Sequence, residues 1–172
     1  PGSGKTFISF NLATSLGIKG KRVIAIDLDL RKGSLSQYAA SPKKGISDYL
    51  VGDVKDIKEV IVTPPEDAKL QLIPVGTVPP NPTELLFSER LEQLIAELRK
   101  EYDYIFIDCP PVEIVADASI ISKLVDMTLF IVRAGLLDRS MLPEIERFYT
   151  DKKYKNMSLI LNGTDGGSGR YG

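Results

Sequence analysis

Along the chain, apolar runs of strand length alternate with stretches whose apolar residues recur every three or four positions, the pattern of a parallel α/β sheet. Ile8, Leu12 and Leu16 share one helical face in a stretch ending at Gly17 and Gly20, and Val23-Ile24-Ala25-Ile26 follows as a strand buried on both sides. Ile46 to Leu50 and Val54 to Val60 predict short helices, Thr63-Pro64-Pro65 stops the chain, and Leu70 to Val75 predicts a strand. Asn81-Pro82-Thr83-Glu84 supplies a cap, a first-position proline and a glutamate that open a helix, whose apolar face continues through Leu91, Leu94, Ile95 and Leu98. Tyr104 to Ile107, Leu129 to Val132 and Leu159 to Leu161 predict three further strands, parallel and central. Helical patterns at about 116–125 and 138–153 lie between them, the second with Leu142, Ile145 and Phe148 or Tyr149 on one side.

No repeat or inner linker interrupts this pattern, so residues 1–162 read as one domain and 163–172 as a glycine-rich, mobile tail bearing Tyr171. The 172 residues are 43% hydrophobic and 26% charged, which excludes disorder as the main state. Lys and Arg number 22 against 23 Asp and Glu, a balance that argues against a nucleic-acid partner. With Cys109 alone and no histidine, an internal disulfide, a Cys/His zinc site and histidine-based catalysis all fall away. No apolar run reaches the roughly 18 residues of a membrane span, and the first residues lack the basic-then-apolar pattern of a signal peptide.

Three motifs carry the chemistry. Pro1-Gly2-Ser3-Gly4-Lys5-Thr6 reads as the end of a phosphate loop: glycines let backbone N–H groups face phosphate oxygens, Lys5 neutralises them, and Thr6 offers a hydroxyl to Mg²⁺. Such loops follow a buried strand, which is expected upstream of Pro1 and missing from this chain. A plain glycine-rich turn is the alternative, and Lys-Thr directly before an amphipathic helix argues against it. Asp27 and Asp29 are two apart at the carboxyl end of a strand, so both leave on one side, at the edge where α/β folds place ligands. Taken alone they equally suit a solvated loop end. Tyr104-Ile105-Phe106-Ile107-Asp108 ends a third apolar run in an aspartate, the form of a Walker B motif, with Asp108 approaching the metal through water. Asp27 and Asp108 are expected at a solvent-facing edge, and Cys109 as a packing residue.

In this order the motifs resemble the Walker A, A′ and B set of bacterial protein-tyrosine kinases of capsule and exopolysaccharide export. Val78-Pro79-Pro80-Asn81-Pro82-Thr83-Glu84-Leu85-Leu86 is similar to that family's proline-asparagine segment, and Gly163 to Tyr171 to the start of its tyrosine-bearing tail. The resemblance implies a P-loop NTPase domain with helices on both faces of a parallel sheet, using ATP and Mg²⁺. It implies that Gly2, Ser3, Gly4, Lys5, Thr6 and Phe7 bind nucleotide, that Asn162 reads adenine, and that Thr6, Asp27 and Asp108 serve the metal. Lys5, Asp27, Asp29 and Asp108 become the catalytic set, with Asp27 taking the acceptor proton and Tyr171 as phosphoacceptor. It further implies a cytoplasmic domain of a plasma-membrane-associated protein, a membrane chain-length or activator domain as partner, and a homo-oligomeric ring in the full protein. A dimeric switch ATPase of the septum-placement and plasmid-partition kind shares the three motifs and is the alternative; Arg31, the Pro-Pro-Asn-Pro segment and the terminal Gly-Arg-Tyr stand against it.

Overall fold

The computed structural model describes residues 2–40, 42–110 and 120–164. Pro1, residues 116–119 of the helical pattern at 116–125 and Tyr171 lie outside them. The chain runs α1 (Lys5–Ile18), β1 (Val23–Asp27), α2 (Ile46–Val51), β2 (Leu70–Ile73), α3 (Pro82–Leu86), α4 (Glu89–Glu101), β3 (Tyr104–Asp108), β4 (Thr128–Arg133), α5 (Leu142–Thr150) and β5 (Met157–Asn162), with short 3-10 turns between. All strand pairings among these elements are parallel.

Side chains alternate across a strand, and β1 uses both faces. Ile24 and Ile26 enter a core built with Leu91, Leu94, Ile95 and Leu98 of α4 and Ile46 and Leu50 of α2. Val23 and Ala25 enter a second core with Phe10 and Ala13 of α1 and Leu70 and Leu72 of β2. Helices therefore cover both faces of this part of the sheet, as the run of adjacent apolar residues in β1 requires.

The buried stripe of α1 is Phe10, Ala13 and Gly17; of the face shared by Ile8, Leu12 and Leu16, Leu16 packs on the second core and Leu12 is 38% exposed. Apolar residues occupy two sides of α1, and the small Ala13 and Gly17 suit the side that must lie close on the sheet. The helix expected to run from Asn81 through Leu98 is two helices. It breaks at Phe87, and Ser88 starts the second by accepting the Leu91 N–H on its hydroxyl. Asn81 makes no side-chain bond to the backbone at the first helix; its amide instead contacts Glu84.

The sheet is in two pieces, ordered β2-β1-β3 and β4-β5. Between them lies a cleft of about 1480 Å³ lined by Ile105 and Ile107 of β3, Leu129 and Ile131 of β4, and Ile8 and Leu12 of α1. Among the described residues β3 is paired on one side by β1 and β4 on one side by β5, where central strands were expected, and Tyr104, expected in a buried strand, is 43% exposed. Phe130 of β4 packs at a tilt on Phe148 of α5 and on Tyr154, which meet each other edge to face. Of the side of α5 expected to carry Leu142, Ile145 and Phe148 or Tyr149, Phe148 is the buried member, while Leu142 and Tyr149 are exposed.

Candidate active site

The phosphate loop hangs between the two pieces of sheet. Gly4 caps α1 in the left-handed region at φ +88°, a conformation that glycine adopts without strain. A Cβ there would also run into the amide of Asn162. That amide donates from Nδ2 to the Ser3 carbonyl at 2.8 Å and accepts the Gly163 N–H on Oδ1 at 2.9 Å. Beside it Arg133, the register partner of Asn162 across β4 and β5, donates to the Gly2 carbonyl at 2.8 Å. In a trans peptide the N–H points opposite the carbonyl, so the N–H groups of Ser3 and Gly4 are turned away from β4 and β5.

Lys5 and Thr6 follow in the first turn of α1. The Thr6 hydroxyl donates to Asp108 Oδ2 at 2.7 Å, and Lys5 Nζ lies 3.9 Å from Asp29 Oδ2. Asp27 and Asp108 are register partners at the ends of β1 and β3, and the Asp108 carbonyl accepts the Leu28 N–H. Asp27 Oδ2 accepts from both the backbone N–H and the hydroxyl of Ser36, each at 2.7 Å, and its Oδ1 accepts the Asp29 N–H at 3.1 Å.

The solvent-facing edge expected for the aspartates is not what forms: Asp27, Asp29 and Asp108 are 0%, 1% and 2% exposed. The turn at 28–36 folds over the strand ends, with Leu28 and Leu35 fully buried beneath it. Burial pushes the Asp27 carboxyl up to about 6, the Ser36 hydrogen bonds holding it back and the neighbouring Asp108 charge adding to the rise. Burial likewise raises Asp108, against the Thr6 hydrogen bond and the Lys5 charge. The Cys109 thiol is pushed up to about 12 by burial and the adjacent carboxylates, in keeping with a packing role.

Two observations bear on a divalent cation. Asp29 Oδ2 is buried without a hydrogen-bond partner, and among the described residues the Lys5 ammonium, 3.9 Å from it, is the one cation within ion-pair distance of the three buried carboxylates. Among the described residues no group of three or more His, Cys, Asp or Glu converges as a metal-binding set. That combination suits Mg²⁺, which keeps several waters and takes one or two protein oxygens plus substrate phosphates, and does not suit an all-protein cage. Thr6, Asp27 and Asp108 are the side chains that would hold such an ion, directly or through water.

Of the residues singled out by sequence, Ser3, Gly4, Lys5, Thr6, Asn162 and the three aspartates converge; Gly2 is exposed at the loop's start and Phe7 is 63% exposed beside it. Sequence reading missed Ser36 and Arg133. Ser36 lies in an unpatterned stretch, and its contact with Asp27 arises only when the turn folds back. Arg133 carries a faint signal, a cation ending an apolar strand.

The family model described as an AAA domain matches residues 1–132. Tyrosine-protein kinase wzc of Salmonella typhi is 41% identical over 144 residues, 83% of this chain and 19% of that protein. The kinase domain of Escherichia coli tyrosine kinase ETK superposes with a TM-score of 0.85 at 32% identity, covering 100% of this chain and 68% of that one. The septum site-determining protein MinD of Pyrococcus horikoshii, complexed with Mg-ADP, superposes with a TM-score of 0.74 at 24% identity over 96% of this chain and 68% of that one, a likeness of fold alone. The chain spans between 19% and 23% of the length of the curated relatives it matches.

Proposed function

From the premise that the chain belongs to the AAA-domain family, and within it to the bacterial tyrosine-kinase domains, we propose that it transfers the γ-phosphoryl group of ATP to tyrosine. The observation that carries this reading is the 2.7 Å bond from Thr6 to Asp108, which joins the phosphate loop to the buried acidic strand ends 102 residues away in sequence.

In the proposed reaction the N–H groups of Ser3 and Gly4 and the Lys5 ammonium hold the β- and γ-phosphates at the N-terminus of α1. Thr6, together with Asp27 and Asp108, would hold Mg²⁺, which would supply neutralisation of phosphate charge. The tyrosine oxygen attacks γ-phosphorus, the bond to the β,γ-bridging oxygen breaks, and ADP leaves with that electron pair. Asp27 takes the phenolic proton, which its raised affinity for protons favours. Asp29 stands opposite Lys5 and orients it when phosphate is bound. Such catalysis is mostly positioning and charge neutralisation.

The acceptor we propose is Tyr171 on a neighbouring subunit, together with any tyrosines that follow. Ten residues of glycine-rich coil span about 16 to 19 Å on average, and more when extended. Added phosphate charge then repels the tail from the acidic site and loosens a ring of subunits. A membrane chain-length or activator domain, in the same or a separate polypeptide, and a role in capsule or exopolysaccharide export complete the proposal.

Calorimetry on the full protein tests the site: Lys5→Met is expected to remove phosphate-dependent affinity for Mg-ATP, and unchanged affinity overturns the assignment. Phosphopeptide mapping tests the acceptor, and phosphate confined to internal tyrosines defeats Tyr171. ATP hydrolysis without any phosphotyrosine favours the switch-ATPase alternative.

A further inference from the structure

Ser36 lies outside every motif, yet its hydroxyl joins two parts of the site. It donates to Asp27 Oδ2 at 2.7 Å and accepts the N–H of Val75, on the loop leaving β2, at 2.8 Å. Its own backbone N–H makes a second bond to the same carboxylate oxygen at 2.7 Å. The 3-10 turn that carries it, Leu35–Tyr38, is pinned at both ends. Leu35 is fully buried in the core under α1, and the Tyr38 ring stacks on Phe10 with centroids 3.9 Å apart and planes 11° from parallel. Phe10 belongs to α1, the helix that begins with Lys5 and Thr6, so one turn references the carboxylate to the phosphate-loop helix on one side and to the β2 exit on the other.

We infer that Ser36 is a positioning residue for phosphoryl transfer, its hydroxyl locking the plane of the Asp27 carboxylate by bridging it to the Val75 amide. The inference rests on the kinase reading only in that Asp27 serves the reaction. With Oδ2 taken by two donors, Oδ1 is the oxygen left with one long contact, to the Asp29 N–H, and so with capacity to spare. A hydroxyl is needed at this point because the bridge requires one group that donates and accepts at once. Alanine would leave the Val75 N–H without this acceptor and Asp27 Oδ2 with one donor.

The test is a double-mutant cycle in the full protein with Ser36→Ala, Asp27→Ala and the pair, reading kcat, KM for ATP, the melting temperature and, without nucleotide, hydrogen exchange at the Val75 amide. A small misplacement of a reacting group costs up to about 100-fold, so Ser36→Ala is expected to lower kcat by about 10- to 100-fold with KM within about twofold. Because Ser36 acts through Asp27, the double variant should match Asp27→Ala within about twofold. Val75 exchange should quicken in Ser36→Ala and stay slow in Asp27→Ala. Ser36→Thr keeps the oxygen and should hold kcat within about threefold of wild type, on the scale of a retained hydrogen bond.

A second full loss of rate when Ser36→Ala is added to Asp27→Ala overturns the inference, as does unchanged Val75 exchange or equal loss in the threonine variant with an intact melt. Wild-type protein that hydrolyses ATP but phosphorylates no tyrosine defeats the kinase reading alone, and the same cycle read on hydrolysis then decides Ser36. Protein that does neither defeats both.

Discussion

Every residue of β1 from Val23 to Asp27 is buried, whereas in β5, also a short parallel strand, Leu159 and Leu161 remain 54% and 56% exposed. The contrast follows the two pieces of the sheet. The β2-β1-β3 piece is packed on one face by α1 and on the other by α2 and α4; the β4-β5 piece is covered by α5 over Phe130 and otherwise borders the cleft. The site draws differently on each. All three aspartates stand on or just after strands of the first piece, while the second touches the phosphate loop through two hydrogen bonds, from Arg133 and Asn162. The buried carboxylates thus sit on the more deeply packed piece, and placement of the loop is shared with the more exposed one.

The sharpest way to break this division is at the carboxylates. Asp27→Asn or Asp108→Asn is expected to lower phosphotyrosine formation by about 100- to 10,000-fold, the range for a positioned proton acceptor or charge partner. Because the Asp27 carboxyl is fully buried and raised from 3.8 to about 6, folding favours its protonated form. Its contribution to stability is therefore fully present below pH 3.8 and is lost as pH rises through about 6. The shift corresponds to about 3 kcal/mol. Thermal melts of metal- and nucleotide-free protein at pH 4 and pH 8 check the sign. The stability of the wild type relative to Asp27→Asn should fall between the two. A relative stability that does not fall, in a variant that still phosphorylates tyrosine, contradicts both roles.

A smaller effect sharpens the packing side. Ile24→Ala empties a fully buried position between β1 and the helices and should cost about 2 to 5 kcal/mol. Leu159→Ala trims a side chain already half in water and should stay within about 0.5 kcal/mol. Urea unfolding of both variants measures the difference, and equal costs would mean that the exposed face of β5 is covered in the full protein.

The same division explains how much of the molecule was legible in its sequence. Strand positions and the three motifs were readable because apolar runs and Asp, Lys and Gly spacings are local. The break at Phe87 was hidden because the apolar stripe of Leu91, Leu94, Ile95 and Leu98 continues through the pattern, and only the Ser88 cap marks a new start. On α1 the apolar face of Ile8, Leu12 and Leu16 was readable, but the close approach of Ala13 and Gly17 to the sheet was not, because small residues carry little periodic signal. Burial of the aspartates and their contact with Ser36 depend on a turn folding back over the strand ends, a long-range event that no periodicity encodes.

The smallest predicted effect decides what Asn162 does. The family resemblance gives it adenine to read, but both ends of its amide are engaged with backbone, Nδ2 on the Ser3 carbonyl and Oδ1 on the Gly163 N–H. As a latch, it holds one carbonyl of the phosphate loop toward β5 and so keeps the Gly4 N–H of the same peptide turned away, available to an anion. Removing such a neutral hydrogen bond costs about 1 kcal/mol, or roughly fivefold in affinity. Asn162→Ala should then weaken ATP, GTP and inorganic pyrophosphate alike, since all three present phosphate to the loop and only one carries adenine. If the amide instead leaves the loop to bind the base, ATP alone weakens, and pyrophosphate binds the variant as tightly as the wild type. Calorimetric titration of the three ligands against both proteins separates these outcomes. A uniform loss would tie β4-β5 to the site through the shape of the loop, with base recognition coming from elsewhere.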